Sequence, residues 1–187
     1  TVRWKKKLSG PILGEIQQVD LFKNGRFQIS FATQNRIHTI DVFGNYVVQK
    51  VFEYGGDVER KHLVAALKGN VLKLSLQMYG CRVVQKAIET VTDEVRSALI
   101  DELRGHVEEC VRDQNGNHVI QKCIEHVPAN KVDFIIGSFY GKVLTLAKHP
   151  YGCRVVQRVL EFCTGVQKSP VLKEVMDGLL NQINGND

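Results

Sequence analysis

Asn115-Gly116-Asn117-His118-Val119-Ile120-Gln121-Lys122 is one of four near-copies in this 187-residue chain. The others are Phe43-Gly44-Asn45-Tyr46-Val47-Val48-Gln49-Lys50, Tyr79-Gly80-Cys81-Arg82-Val83-Val84-Gln85-Lys86 and Tyr151-Gly152-Cys153-Arg154-Val155-Val156-Gln157-Arg158, each 36 residues from the next. A fixed period of that length marks a solenoid, in which each unit buries its apolar face only by stacking on its neighbour. The Val-Val or Val-Ile pair in every copy supplies the buried side. The other positions stay polar where a packed helix has no need of them, so the repeat informs function as well as fold.

Working outward, Gly69, Gly105 and Gly141 recur in phase, each opening a short apolar segment such as Val143-Leu144-Thr145-Leu146-Ala147. A break follows (Pro150 lies in one), and then the motif glycine begins a helix. Between units, Asp93 to Leu103 carries apolar residues at helical spacing, with acids near its start that suit a helix N-terminus. Pro128 and Pro170 are placed to open the corresponding helices later in the chain. The expectation is an all-α unit of about three helices, with motif helices at 44–53, 80–89, 116–125 and 152–161. Residues 170–183 read as the first helix of a fifth unit, whose motif helix would centre near 189, past Asp187; a piece of a longer array is expected. Residues 1–36 form an irregular N-terminal segment, unassigned or a degenerate repeat, with a turn signal at Lys23-Asn24-Gly25-Arg26; the array takes 37–187.

Composition narrows the function classes. No apolar run reaches the length of a membrane span, and the basic start Thr1-Val2-Arg3-Trp4-Lys5-Lys6-Lys7 lacks the apolar core of a secretory signal. Cys81, Cys110, Cys123, Cys153 and Cys163 are odd in number and form no C-x-x-C pair, which reads as reduced thiols and neither disulfides nor a metal site. The net charge of +5 comes wholly from residues 1–40, with seven Lys/Arg against two acids; residues 41–187 balance 18 against 18. A global basic-protein argument for nucleic acid therefore fails for the repeats. It survives locally, because Lys50, Lys86, Lys122 and Arg158 recur in phase, with Arg82 and Arg154 nearby.

Within each motif, Asn45 and Gln49, Cys81 and Gln85, Asn117 and Gln121, and Cys153 and Gln157 stand four apart, on one helical face about a turn from each other. Such pairs can meet the edge of a flat polar ligand. The residue between them, Tyr46, Arg82, His118 or Arg154, has a planar group able to stack on a base. Helices stacked roughly 10 Å apart would let an extended single strand place one base on each.

On these segments the chain resembles the Pumilio (PUF) RNA-binding family, over about residues 37 to 183, and matches the second to fifth of that family's eight repeats in motif, spacing and order. The resemblance implies a right-handed, curved, armadillo-like α-solenoid of three-helix repeats that reads one base per repeat, the relation for which PUF proteins are the standard instance. It implies uracil for Asn45 with Gln49 and for Asn117 with Gln121, and adenine for Cys81 with Gln85 and for Cys153 with Gln157. With RNA antiparallel to the chain, the implied core is 5′-AUAU-3′. It implies further a 3′ untranslated region of messenger RNA as partner, post-transcriptional control of translation and mRNA stability, protein co-repressors on the convex face, a cytoplasmic (or nuclear or nucleolar) location, no membrane and no cofactor. Four stacked bases, less ordering costs, suggest affinity of about micromolar or weaker.

Plainer readings stand beside these. Lys50, Lys86, Lys122 and Arg158 are candidate phosphate contacts, yet each precedes an acid by three residues (Glu53, Glu89, Glu125, Glu161), so in-helix ion pairs fit as well. Cys110, Cys123 and Cys163 read as small buried hydrophobes. His118 near Cys123 lacks an orienting third group, so no catalysis is expected. The Lys5-Lys6-Lys7 cluster reads as a solvated tail. Two other functions remain open: a helical-repeat scaffold for protein interactions, and a truncated array with little RNA affinity.

Overall fold

The structure is a computed structural model that describes residues 12–19, 28–33, 36–39 and 44–185. The described residues fall into two compact units that divide between Asn70 and Val71.

The first unit opens with three strands, β1 (Ile12–Val19), β2 (Gln28–Thr33) and β3 (Arg36–Thr39), which form an antiparallel sheet in the order β1-β2-β3. The sequence reading leaves this stretch unassigned. Gln28-Ile29-Ser30-Phe31 alternates polar and apolar residues, the period of a strand, but Ala32-Thr33 breaks the pattern. In β1 that signal is blurred by a shift in pairing between Leu13, opposite Ala32, and Gln17, opposite Ser30. The proposed turn at Lys23-Asn24-Gly25-Arg26 lies outside the described residues. Helices α1 (Gly44–Tyr54) and α2 (Asp57–Leu67) follow. Arg60 on α2 donates from Nε to the Phe52 carbonyl at 2.9 Å and from a terminal nitrogen to the Glu53 carbonyl at 3.0 Å. Those carbonyls end α1 and have no acceptor role left within it.

The second unit is helical throughout its described residues: α3 (Val71–Ser75), α4 (Gly80–Thr90), α5 (Asp93–Ile100), α6 (Val107–Arg112), α7 (Gly116–His126), α8 (Asp133–Gly137), α9 (Val143–Ala147), α10 (Gly152–Phe162) and α11 (Gly165–Ile183). Short 3-10 turns lie at Asp101–Leu103 and Ala129–Lys131. Each repeat pairs a short first helix with an 11-residue motif helix and a third helix, and α4, α7 and α10 pack successively side by side. Their buried faces are the expected ones: Val83 and Val84, Val119 and Ile120, Val155 and Val156.

Two kinds of glycine set this geometry. Gly105 has φ of 79°, a left-handed conformation that stops one helix and lets the chain turn into α6. Gly116 is required for a different reason: a Cβ there would sit 2.7 Å from the Cys110 carbonyl oxygen. The motif helix can start against the preceding short helix only without a side chain.

The repeats are tied by side chains that cap backbone ends. Arg96 donates to the Ile88 and Val91 carbonyls at the end of α4, and to the His126 carbonyl at the end of α7. Glu102, on the 3-10 turn after α5, accepts from the Val71 amide at 3.0 Å. Glu174 on α11 accepts from the amides of Gly141 and Val143 at 2.9 and 2.7 Å, so the last part of a repeat caps the first helix of the same repeat. Helix α11 begins at Gly165, ahead of the expected 170. Thr164 and Gln167 form a reciprocal capping box there, and Pro170 falls inside the helix. Its missing amide forgoes only a bond to the carbonyl of Val166, an exposed first-turn residue whose oxygen solvent can serve.

Candidate RNA-binding face

The paired positions lie as the four-residue spacing requires. In α1, Gln49 Nε2 donates to Asn45 Oδ1 at 2.9 Å. In α7, Gln121 Nε2 donates to Asn117 Oδ1 at the same 2.9 Å. Asn117 itself is 0% exposed, and its Nδ2 donates both to the Asp113 carbonyl at 2.8 Å and to the Gln114 carbonyl at 3.0 Å. Its amide is thus wholly engaged with the chain. Gln121, half-buried, is the member of the pair that faces outward, and Asn117 orients it.

Where the first residue is cysteine, the glutamine is differently placed. The Cys81 thiol donates to the Met78 carbonyl at 3.3 Å, and that of Cys153 to the Pro150 carbonyl at 3.5 Å. With its hydrogen so directed, each sulfur is an apolar neighbour of the glutamine, half-buried at Cys153 and only 1% exposed at Cys81. Gln85 is only 9% exposed, and beyond a weak contact with the Cys81 sulfur its buried Nε2 has no hydrogen-bond partner among the described residues. Buried donors in that condition are rare and call for an explanation, such as a group supplied from outside. Gln157 is exposed and Cys153 half-buried.

The planar residues border these pairs. Tyr46 is 47% exposed, Arg82 and Arg154 are exposed, and His118 is half-buried. Burial, and then the charges of Arg82 and Arg154, hold the His118 imidazole below its ordinary value of 6.5. The order Arg82, His118, Arg154 thus runs across three successive motif helices, with a neutral ring favoured at its centre.

The periodic cations form ion pairs with the acids three residues on. Lys50 meets Glu53 at 2.5 Å, Lys86 meets Glu89 at 2.7 Å, Lys122 meets Glu125 at 2.8 Å, and Arg158 meets Glu161. Two rungs also cross between repeats: Lys122 to Glu89 at 3.2 Å and Arg158 to Glu125 at 3.2 Å. The in-helix pairs are readable from the sequence; the crossed rungs span 33 residues and are not. The clamp residues Arg60 and Arg96 are also missed, although their 36-residue spacing is visible once the period is known.

The model of the family described as "Pumilio-family RNA binding repeat" matches this chain four times, at residues 39–68, 70–104, 106–137 and 142–176. The chain belongs to the Pumilio family. Its array is therefore the Pumilio-type α-solenoid, and the four matches each contain one motif helix. Among curated relatives, Pumilio homolog 1 of Xenopus laevis is 52% identical over 39 residues, 21% of this chain and 3% of that protein. A solved Puf3 RNA-binding domain bound to Cox17 RNA 3′ UTR recognition sequence site B is 50% identical with a TM-score of 0.71, over 73% of this chain and 39% of that one. PUF-8 in complex with PBE-RNA is 42% identical with a TM-score of 0.70, over 74% of this chain and 41% of that one. Yeast Puf5p bound to SMX2 RNA is 35% identical with a TM-score of 0.66, over 77% and 42%. This Pumilio chain thus spans about two-fifths of the solved domains that it resembles.

Proposed function

We propose that this chain binds single-stranded RNA by base sequence, one base per repeat, with no bond made or broken. The observation that carries the reading is the recurrence of a polar or thiol pair one helical turn apart beside a planar side chain, in phase along the array. The Gln85 amide supports it, since beyond its weak contact with the Cys81 sulfur the buried Nε2 lacks an acceptor, and a turn of the side chain outward would let it meet one on an adenine edge. Gln85 and Gln157, with the sulfurs of Cys81 and Cys153 beside them, read adenine; Gln121, oriented by Asn117, and Gln49 with Asn45 read uracil. Tyr46, Arg82, His118 and Arg154 stack between bases. The core is 5′-AUAU-3′, and the site in the cell is a messenger RNA 3′ untranslated region, as the Puf3 complexes suggest by their Cox17 3′ UTR ligands. Control of translation and mRNA stability in the cytoplasm, with protein co-repressors as further partners, follows on this reading.

Fluorescence anisotropy tests it, using labelled 5′-UGUAUAUA-3′ and the same RNA with C at both A positions of the internal AUAU. Clear loss of binding on substitution is the expected result. Equal binding to both RNAs would mean backbone attraction alone, and binding to neither would end the RNA reading. A protein-binding scaffold is the second reading, favoured by Leu172, Met176, Leu179 and Ile183, which lie exposed on α11. Mass that rises with concentration and ignores RNA would support it.

A further inference from the structure

The acids of the motif helices stand in a telling place. Glu89 and Glu125 each lie four residues after the reading glutamine, Gln85 or Gln121, and so about 6 Å further along the same side of the helix. The cations Lys86, Lys122 and Arg158 each directly follow a reading glutamine. On the RNA-binding reading above, these cations are the candidate phosphate contacts.

The row is already neutralised. Glu89 bridges Lys86 at 2.7 Å and Lys122 at 3.2 Å, and Glu125 bridges Lys122 at 2.8 Å and Arg158 at 3.2 Å. The Glu125 side chain is 17% exposed and that of Glu89 24%, so these pairs are less screened than surface ones. Burial by itself would raise the Glu89 carboxyl, yet hydrogen bonds from Lys86 and Lys122 hold it below its ordinary value. For Lys122, burial is likewise outweighed by Glu125 and Glu89, and its ammonium is held above the ordinary value. Both groups stay charged and paired across the neutral range.

We propose that Glu89 and Glu125 determine specificity at the RNA face by holding Lys86, Lys122 and Arg158 in ion pairs and so denying those cations to phosphate. Phosphate contacts add affinity for any sequence, whereas base-edge contacts discriminate. The bridging carboxylates therefore shift recognition from the backbone to the bases. They act as positioning residues, through the cations, without touching a base. The proposal rests on the RNA-binding reading above.

The test uses the full chain with Glu125→Gln and, separately, Glu89→Gln, titrated with the two RNAs above at several salt concentrations. Glu125→Gln leaves Lys122 with Glu89 and Arg158 with Glu161, and Glu89→Gln leaves Lys122 with Glu125. Each substitution thus loosens one or two cations, and the slope of log K against log salt steepens by at most about 0.7 to 1.4 for single-stranded RNA. Affinity for the C-substituted RNA rises by about fivefold, more than that for the matched RNA, and discrimination falls. A merely structural role would alter the melting temperature and leave the salt slope alone. Circular dichroism checks folding, and if one variant does not fold the other decides, since each opens a different bridge. A wild-type chain that discriminates, with variants matching it in slope and ratio, overturns this proposal alone. A wild-type chain that does not discriminate overturns the RNA reading and this proposal with it.

Discussion

Cys153 is half-buried, whereas Cys81, Cys110, Cys123 and Cys163 are buried. Burial pushes the Cys110 thiol up to about 12 and raises those of Cys123, Cys81 and Cys163. A maleimide should therefore label Cys153 first in the native protein, and RNA containing AUAU should slow that labelling. Mass spectrometry of timed samples checks both statements; labelling unaffected by bound RNA would remove Cys153 from the base-reading set. At His118 the sign of the pH effect is fixed by its lowered affinity for protons. The unfolded chain takes up a proton near 6.5 while the folded ring still resists it, so stability is full above that range and is lost as pH falls through it. His118→Gln should flatten the fall in melting temperature between about pH 7 and 5. Arg82→Ala should raise the His118 titration midpoint seen by NMR. At this scale the candidate residues were legible in the sequence because they recur in phase, but their division of labour was not. Nothing in the spacing says that Asn117 turns its amide inward while Gln121 faces out.

At the scale of elements, the close start of each motif helix is the most exacting feature. Gly116→Ala should destabilise the protein by about 2 kcal/mol, because the new methyl meets backbone, which yields less easily than a flexible side chain. Urea denaturation measures it; a change within error would mean that α6 and α7 can separate without loss. Arg96→Ala leaves three carbonyls at helix ends without their donor and should cost a similar amount, about 2 kcal/mol. Arg104→Ala breaks an exposed pair with Asp101 and a guanidinium contact 4.1 Å from the Phe134 ring centre, and should cost less, about 1 kcal/mol. The repeating helices were legible because one pattern is written four times, so each copy corrects the reading of the others. The strands β1, β2 and β3 were not, since they occur once, and in β1 a pairing shift between Leu13 and Gln17 interrupts the alternation. The start of α11 was misjudged for a related reason: Pro170 is a strong local signal, and the capping box of Thr164 and Gln167 outweighs it.

For the whole molecule, charge is the property with the clearest consequence. Residues 41–187 carry 18 basic and 18 acidic residues, and the motif cations pair with acids within and across repeats. Binding that rests on base edges then releases few counterions. The wild-type chain should show a shallow salt dependence, with a slope of magnitude about 1 to 2 in log K against log salt, which titration over a range of potassium chloride concentrations measures. A slope several times steeper would place the dominant contacts on phosphate.

The sequence alone determined the period, the motif helices, their buried Val-Val or Val-Ile faces and the set of residues available to read bases. These follow from local spacing: a helix puts residues three and four apart on one side, whatever lies around it. Only the tertiary structure decided which of those side chains face outward and which second acid Lys122 and Arg158 meet across repeats. Glu89 and Lys122 are far apart along the chain, and they meet because α4 and α7 pack side by side. Pairing across a stack depends on the distance between helices, which no single stretch of sequence encodes.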